Sequence, residues 1–136
     1  MTDFRDVTDD FSVSPQIAPE DVASAAAQGF VLIINNRPDG EQPGQPASAE
    51  IEAQAKAHGL AYAHIPFVGR PTAEQAKAVH DLAAAAEGRV LAFCRSGTRS
   101  ITAWSIGQAI CGDRDRGELL SLGADAGYDL SGALGG

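Results

Sequence analysis

Phe93, Cys94, Arg95, Ser96, Gly97, Thr98, Arg99 and Ser100 follow directly on the apolar residues Val90, Leu91 and Ala92 and lead straight into a helical stretch. That order sets one thiol at the tip of a strand, with a turn of backbone N–H groups around it and an arginine at the start of a helix. A free thiol ionises near pH ~8.5, and a helix N-terminus or an adjacent cation lowers that value to roughly 3.5–7.5. The spacing gives Cys94 both, so a nucleophilic thiolate is expected. N–H groups from Arg95, Ser96, Gly97, Thr98 and beyond can turn inward over the sulfur, and the helix dipole adds to their field. Gly97 permits a backbone conformation that a side chain would oppose. Arg99 can hold an anion with two parallel donors, which a lysine does not match. Ser100 is placed to donate to the thiolate, and Arg95 fits the rim of such a site or open solvent equally. A lone cysteine in an apolar setting is more often a buried structural thiol; Gly97, Arg99 and Ser100 at these spacings weigh against that reading.

Alternating strand-like and helix-like segments must position this loop. Phe11, Ser12 and Val13 form a short, weak strand pattern. Pro19, Glu20 and Asp21 open a helix that runs to Gln28 and ends at Gly29. Residues 30–34 are continuously apolar and rich in β-branching, as in a strand covered on both faces. Pro38, Gly40, Pro43, Gly44 and Pro46 make residues 35–46 a long loop. Ser48 is expected to cap the next helix, which ends at His58 and Gly59. Residues 60–65 form another strand, stopped by Pro66. Thr72 and Gln75 make a capping box for a helix whose apolar positions Ala76, Val79, Leu82 and Ala83 keep the helical period. Residues 90–93 deliver Cys94. Ile101, Trp104, Ile106 and Ile110 lie on more than one face of the following helix, which predicts deep burial with Trp104 in the core. One more turn or two is expected over residues 118–122.

Repeated strand–helix alternation predicts a single α/β domain of three layers, a central and mostly parallel sheet with helices on both faces. Its core spans about residues 10–125, and residues 126–136 form a tail expected to fray. In such sheets ligands bind outside the carboxyl ends of the strands. The loops after Ile34, Ile65 and Phe93 should therefore meet at one edge. Arg37 on the first of them is a candidate second anion contact, or else a loop-stabilising partner of Asp39 or Glu41. Asn35 and Asn36 suit turns. His64 reads as a satisfied structural histidine, and His58 and His80 as helix-surface residues.

The composition narrows the partners. A net charge of −8 without clustered Lys and Arg argues against nucleic acid and against an electrostatic membrane anchor. No run approaches the roughly 20 apolar residues of a membrane span, and the first residues carry no secretory pattern, so a cytoplasmic location with reduced thiols is expected. A helix from about Arg99 to Cys111 separates its ends by roughly 18 Å, so Cys94 and Cys111 should not reach each other for a disulfide. Cys111 then reads as a small buried helix residue. No grouping has metal-ligand spacing and no cofactor motif appears; a small anionic substrate is the expected ligand.

The Cys94 loop resembles the active-site loops of cysteine-dependent phosphatases and rhodanese-type sulfurtransferases. A wider set is similar to one bacterial family: Ser14, Pro15, Gln16 and Ile17; Ile34 through Glu41; Pro43 through Pro46; His64, Ile65 and Pro66; and Cys94 through Ser100. That family is the β-lactamase hydrolase-like, phosphatase-like domain, also named as a small sulfurtransferase family and in some proteins fused to a persulfide dioxygenase. The resemblance covers nearly the whole chain. It implies the cysteine-phosphatase fold and allows a persulfide dioxygenase as partner.

Two departures from the phosphatase pattern favour sulfur chemistry. Four residues separate Cys94 from Arg99, where the resembled phosphatases have five and usually a histidine in the place of Phe93. The loop after His64, Ile65 and Pro66, which supplies the general acid in that fold, reads Phe67, Val68, Gly69, Arg70, Pro71 and carries no carboxylate. Expelling an alkoxide calls for such an acid, worth typically 10²–10⁴ in rate; expelling sulfite or a thiolate does not. Asp39 or Glu41 could reach in from the neighbouring loop. The expected order is therefore sulfur transfer through a Cys94 persulfide, then phosphate hydrolysis through a phosphocysteine, then an anion- or partner-binding module without turnover.

Overall fold

Five strands lie in the order β1-β2-β5-β3-β4 in a computed structural model that describes residues 3–134. They are β1 (Arg5–Asp6), β2 (Phe11–Ser14), β3 (Phe30–Asn35), β4 (Ala61–His64) and β5 (Arg89–Phe93). The last four run parallel, and β1 pairs antiparallel with β2 at one edge. Helices α1 (Asp21–Ala27), α2 (Ser48–Ala57), α3 (Ala73–Ala85), α4 (Thr98–Ile110) and α5 (Arg116–Asp125) connect and follow the strands.

The strand sequences explain the layering. Successive side chains of β5 point to opposite faces, so Val90 and Ala92 enter one apolar cluster while Leu91 and Phe93 enter the other. Ile34 and Ile33 of β3 divide in the same way. The first cluster holds Val79 of α3, Ile101 and Trp104 of α4 and Leu119 of α5; the second holds Val22 and Ala25 of α1 with Ile51 and Ala55 of α2. Both faces of the sheet are thus covered, which is why β3 and β5 read as unbroken apolar runs. Trp104 is a core residue, stacked on Phe11 with ring centroids 5.5 Å apart.

Register sets the functional edge. Ser14 pairs with Phe93, Phe93 with Asn35, and Asn35 with His64, so four strands end in one row. Side chains fasten the loops beyond that row. Asn35 Oδ1 accepts the Arg37 N–H at 2.8 Å, Asn36 Nδ2 donates to the Ile65 carbonyl at 3.0 Å, and His64 Nε2 donates to the Arg37 carbonyl at 2.9 Å. Both asparagines and His64 have the structural parts expected of them.

Several expectations need correction. Strand β1 went unseen because two residues carry no periodicity. Ser48 does not cap α2: Ala47 holds that position, the Ser48 N–H donates to Asp39 Oδ1 at 2.8 Å, and Ser48 Oγ meets Tyr62 Oη at 2.7 Å. Helix α5 is longer than two turns. In the stretch after it Ala126 and Leu130 are buried, while Ser131 and Gly132 are exposed; residues 135 and 136 lie outside the described residues. His80 is half-buried rather than fully on the surface. Its ring lies between α3 and the turn after α4, with Nε2 2.6 Å from Asp113 Oδ2, and that bond raises its pKa above the ordinary value. Cys111 is exposed rather than buried, with Sγ 3.5 Å from His80 Nδ1, and neither cysteine forms a disulfide. Among the described residues no helix is long and apolar enough to cross a membrane, and no cluster of His, Cys, Asp and Glu could hold a metal.

Candidate active site

Cys94 leaves β5 where its N–H still donates to the Ser14 carbonyl, at 3.4 Å. The thiol is buried, and the Gly97 N–H donates to its Sγ at 3.1 Å. Gly97 caps α4 with φ of 92°, a left-handed conformation that a side chain resists. Helix α4 then starts at Thr98, and its first N–H groups have no acceptor within the helix. The loop thus gathers amide donors and the positive end of a helix dipole around one sulfur.

The polar side chains divide unevenly. Arg95, Ser96 and Thr98 are exposed. Ser96 Oγ donates to Thr98 Oγ1 at 3.0 Å and accepts the Thr98 N–H at 3.4 Å, so these hydroxyls brace the turn, and what they bring to an anion is backbone. The Arg95 side chain is on the exposed rim, while its carbonyl accepts the Gln16 N–H at 3.2 Å. Ser100 departs from expectation: its Oγ is buried without a hydrogen-bond partner and makes no bond to Cys94.

Arg99 is oriented by a carboxylate 58 residues away. Its Nη1 donates to Glu41 Oε2 at 2.9 Å and to the Phe67 carbonyl at 3.1 Å, and its Nη2 donates to Glu41 Oε1 at 2.8 Å. These bonds use both Nη1 hydrogens and one of Nη2, which leaves Nε–H and the other Nη2–H. That remaining edge is a side-on pair of parallel donors, the geometry that grips an oxyanion. Glu41 first, and after it the charge on Cys94, holds the guanidinium above its ordinary pKa against the effect of burial.

Arg37 is spent inside its own loop and on Gln16. It is 2% exposed and donates to Glu41 Oε1 at 2.8 Å, Gln16 Oε1 at 3.0 Å and Gln42 Oε1 at 2.9 Å. It is the loop-stabilising arginine of the two alternatives, and it anchors the carboxylate that anchors Arg99. Between these two cations, Arg99 the stronger influence, the Glu41 carboxyl falls to about 2. A group ionised that firmly donates no proton at neutral pH. Glu41 therefore does not stand as a general acid here, and Asp39 Oδ1 accepts the Ser48 N–H at the start of α2.

Glu41→Gln should lower kcat roughly 10- to 100-fold, the range for losing hydrogen bonds to charged groups. The acid response fixes the sign. A carboxyl depressed from 4.5 to about 2 on folding contributes fully above pH 4.5, and the contribution drains away as pH falls through about 2. Melting temperatures of the two proteins should therefore differ at neutral pH and draw together between those limits. A constant gap down to pH 2 would exclude the ion pairs as its cause.

Tyr128 belongs to the site, although no pattern in the sequence points to it. Its Oη donates to the Ser96 carbonyl at 2.8 Å, and the Arg5 guanidinium stands 5.2 Å from its ring centre. A tyrosine next to Gly127 in a short terminal segment carries no periodicity that would announce it.

Known proteins are similar to this chain in sequence and in fold. Residues 3–111 match the family model described as "Beta-lactamase hydrolase-like protein, phosphatase-like domain". A protein of Agrobacterium fabrum (strain C58) named "Beta-lactamase hydrolase-like protein" is 43% identical over 121 residues, which are 88% of this chain and 27% of that protein. A protein of the same name from Xylella fastidiosa (strain Temecula1) is 35% identical over 130 residues, 95% of this chain and 30% of that one. The chain thus spans less than a third of the length of these curated relatives. Among solved structures, a Neisseria meningitidis protein described provisionally as a phosphatase superposes with a TM-score of 0.82 at 29% identity, over 94% of this chain and 91% of its own. The active form of Tk-PTP, with a TM-score of 0.69 at 18% identity over 93% of this chain and 86% of its own, shares the fold. On the span of residues matched, the chain belongs to the β-lactamase hydrolase-like protein, phosphatase-like domain family.

Proposed function

We propose that the chain is a cysteine-dependent phosphatase-type hydrolase for small phosphomonoesters whose leaving group is already a stable anion. Cys94 Sγ attacks phosphorus, the S–P bond forms as the P–O bond to the leaving group breaks, and that group departs with the electron pair. Water then attacks the phosphocysteine, releasing phosphate and restoring the thiol group. One observation carries the reading: Arg99, near enough to Cys94 to feel its charge, keeps two donors outside its bonds to Glu41 and Phe67, and the Cys94 sulfur accepts an amide N–H from the start of α4. The phosphatase-like family and the Neisseria relative weigh toward hydrolysis over the sulfur transfer expected from loop length.

The leaving-group restriction follows from the proton inventory. The segment Phe67, Val68, Gly69, Arg70, Pro71 has no carboxylate, and Glu41 is held ionised. An aryl phosphate should therefore turn over faster than an alkyl phosphate by about 10²–10⁴, the usual worth of a general acid. Steady-state rates on nitrophenyl phosphate and glycerol phosphate test this. Comparable rates would mean that an acid is delivered from elsewhere.

Sulfur transfer is the second reading, favoured by the four-residue spacing between Cys94 and Arg99 and by the same missing acid. Here Cys94 would take the outer sulfur of thiosulfate, expel sulfite and hold a persulfide. Mass spectrometry after thiosulfate treatment separates the two: a one-sulfur increment on Cys94 with no aryl phosphate turnover would select this reaction.

A further inference from the structure

The peptide between Ser96 and Gly97 has its two polar ends spoken for on opposite sides. Its carbonyl accepts the Tyr128 hydroxyl at 2.8 Å, and its N–H donates to Cys94 Sγ at 3.1 Å. A trans peptide is planar, so these ends point in opposite directions and cannot turn independently; no peptide in the described chain is cis. We infer that Tyr128 is a positioning residue, a latch on the Ser96 carbonyl that keeps the Gly97 N–H turned toward the sulfur. The inference deepens the reading of the Cys94 loop as an anion cradle and rests on it.

The loop does not lock this peptide by itself. Glycine occupies left- and right-handed conformations about equally well, so Gly97 at φ 92° leaves the adjoining peptide free to rotate. Ser96 gives no help, because its hydroxyl is occupied by Thr98. A rotated peptide would aim a carbonyl oxygen at the sulfur and at any bound oxyanion, exchanging a donor for a repulsive acceptor. The phenol also abuts the loop at this point, since a Cβ built on Gly97 would overlap Tyr128 Oη.

Three elements hold the tyrosine in place. Its N–H turns back off α5 to the Gly123 carbonyl at 2.8 Å. Two residues on, Leu130 is 1% exposed and seated against Gly123, where an added Cβ would come within 2.5 Å of it. Arg5 of the edge strand covers the ring. Burial raises the phenol's pKa, and the Cys94 charge adds to the rise against Arg5, so the hydroxyl remains a donor throughout the neutral range. Tyr128 itself, with Gly123 and Leu130, lies beyond residue 111, where the family match ends.

Tyr128→Phe removes one oxygen and keeps the ring. The Gly97 amide proton should lose its hydrogen-bonded shift in a ¹⁵N-resolved spectrum, with the melting temperature essentially unchanged. Affinity for inorganic phosphate and kcat/KM for aryl phosphate should fall together by about tenfold, because both scale with the fraction of loops in the competent state. Wild-type protein that binds phosphate without hydrolysing esters would sink the phosphatase reading, while the Gly97 resonance and phosphate titration would still decide the latch. An unmoved Gly97 resonance with unchanged phosphate affinity overturns the inference. So does an early melt with shifts spread through the sheet, which would make Tyr128 a packing residue only.

Discussion

Arg99→Lys is expected to lower kcat for an aryl phosphate by about 10²–10³, the cost of removing a preorganised donor from developing oxyanion charge. The arginine performs two tasks with one planar group. Its Nη1 and Nη2 are fixed by Glu41 and the Phe67 carbonyl, and that anchorage aims the Nε/Nη2 edge. A lysine ammonium is a point charge without a second parallel edge, so it can satisfy Glu41 or the anion but not both. Net charge is conserved, which separates geometry from simple attraction. The melting temperature should change little, since Glu41 keeps Arg37. A variant within about threefold of wild type in kcat would show that Arg99 does not face the reacting group.

Gly97→Ala should be nearly as damaging to activity, and more damaging to stability. The left-handed conformation costs a residue with a Cβ roughly 1–2 kcal/mol, and here the new carbon would also overlap Tyr128 Oη and lie 3.5 Å from the Ser14 backbone. Either the tyrosine withdraws or the loop shifts, and a misplacement of ~1 Å at a reacting centre costs on the order of 10² in rate. Gly59→Ala supplies the control. Gly59 also has positive φ, of 78°, but an added Cβ meets nothing within 4 Å. It should destabilise through backbone strain alone and leave kcat untouched. Equal kinetic losses in the two variants would mean that the effect comes from global stability and not from the loop.

What could be foreseen in this chain was what is local along it. The Cys94 loop is one continuous stretch, residues 93–100, running from the end of a strand into the first turn of a helix, and its turn, its inward amide and its arginine follow from their order. The row formed by Ser14, Phe93, Asn35 and His64 follows from apolar runs that read as covered strands. What escaped notice depends on contacts made by folding. Glu41 sits among prolines and glycines, and nothing in that stretch says that it will meet Arg99. Arg37 reads equally as an anion contact or as a loop-stabilising partner of Asp39 or Glu41, because its loop carries no periodicity; Gln16, Glu41 and Gln42 bury it by pairing its donors. Tyr128 and Leu130 lie among glycines, where no helical or strand period marks them as core. Ser100 had the right position for a bond to sulfur, but the direction of a hydroxyl on the first turn of a helix is set by packing. The preference for sulfur transfer rests on the missing carboxylate after Pro66 and on the count of residues between Cys94 and Arg99. That count measures the size of the ring and does not reveal which edge of Arg99 is left free.

The most direct test of the whole account is a rapid quench with an aryl phosphate followed by intact-mass analysis and peptide mapping. A phosphoryl increment should appear on Cys94 during turnover and be absent from Cys94→Ser, whose hydrolysis should fall on the order of 10⁴-fold or more. Hydrolysis by Cys94→Ser at the wild-type rate, or a phosphoryl group carried on another residue, would contradict it.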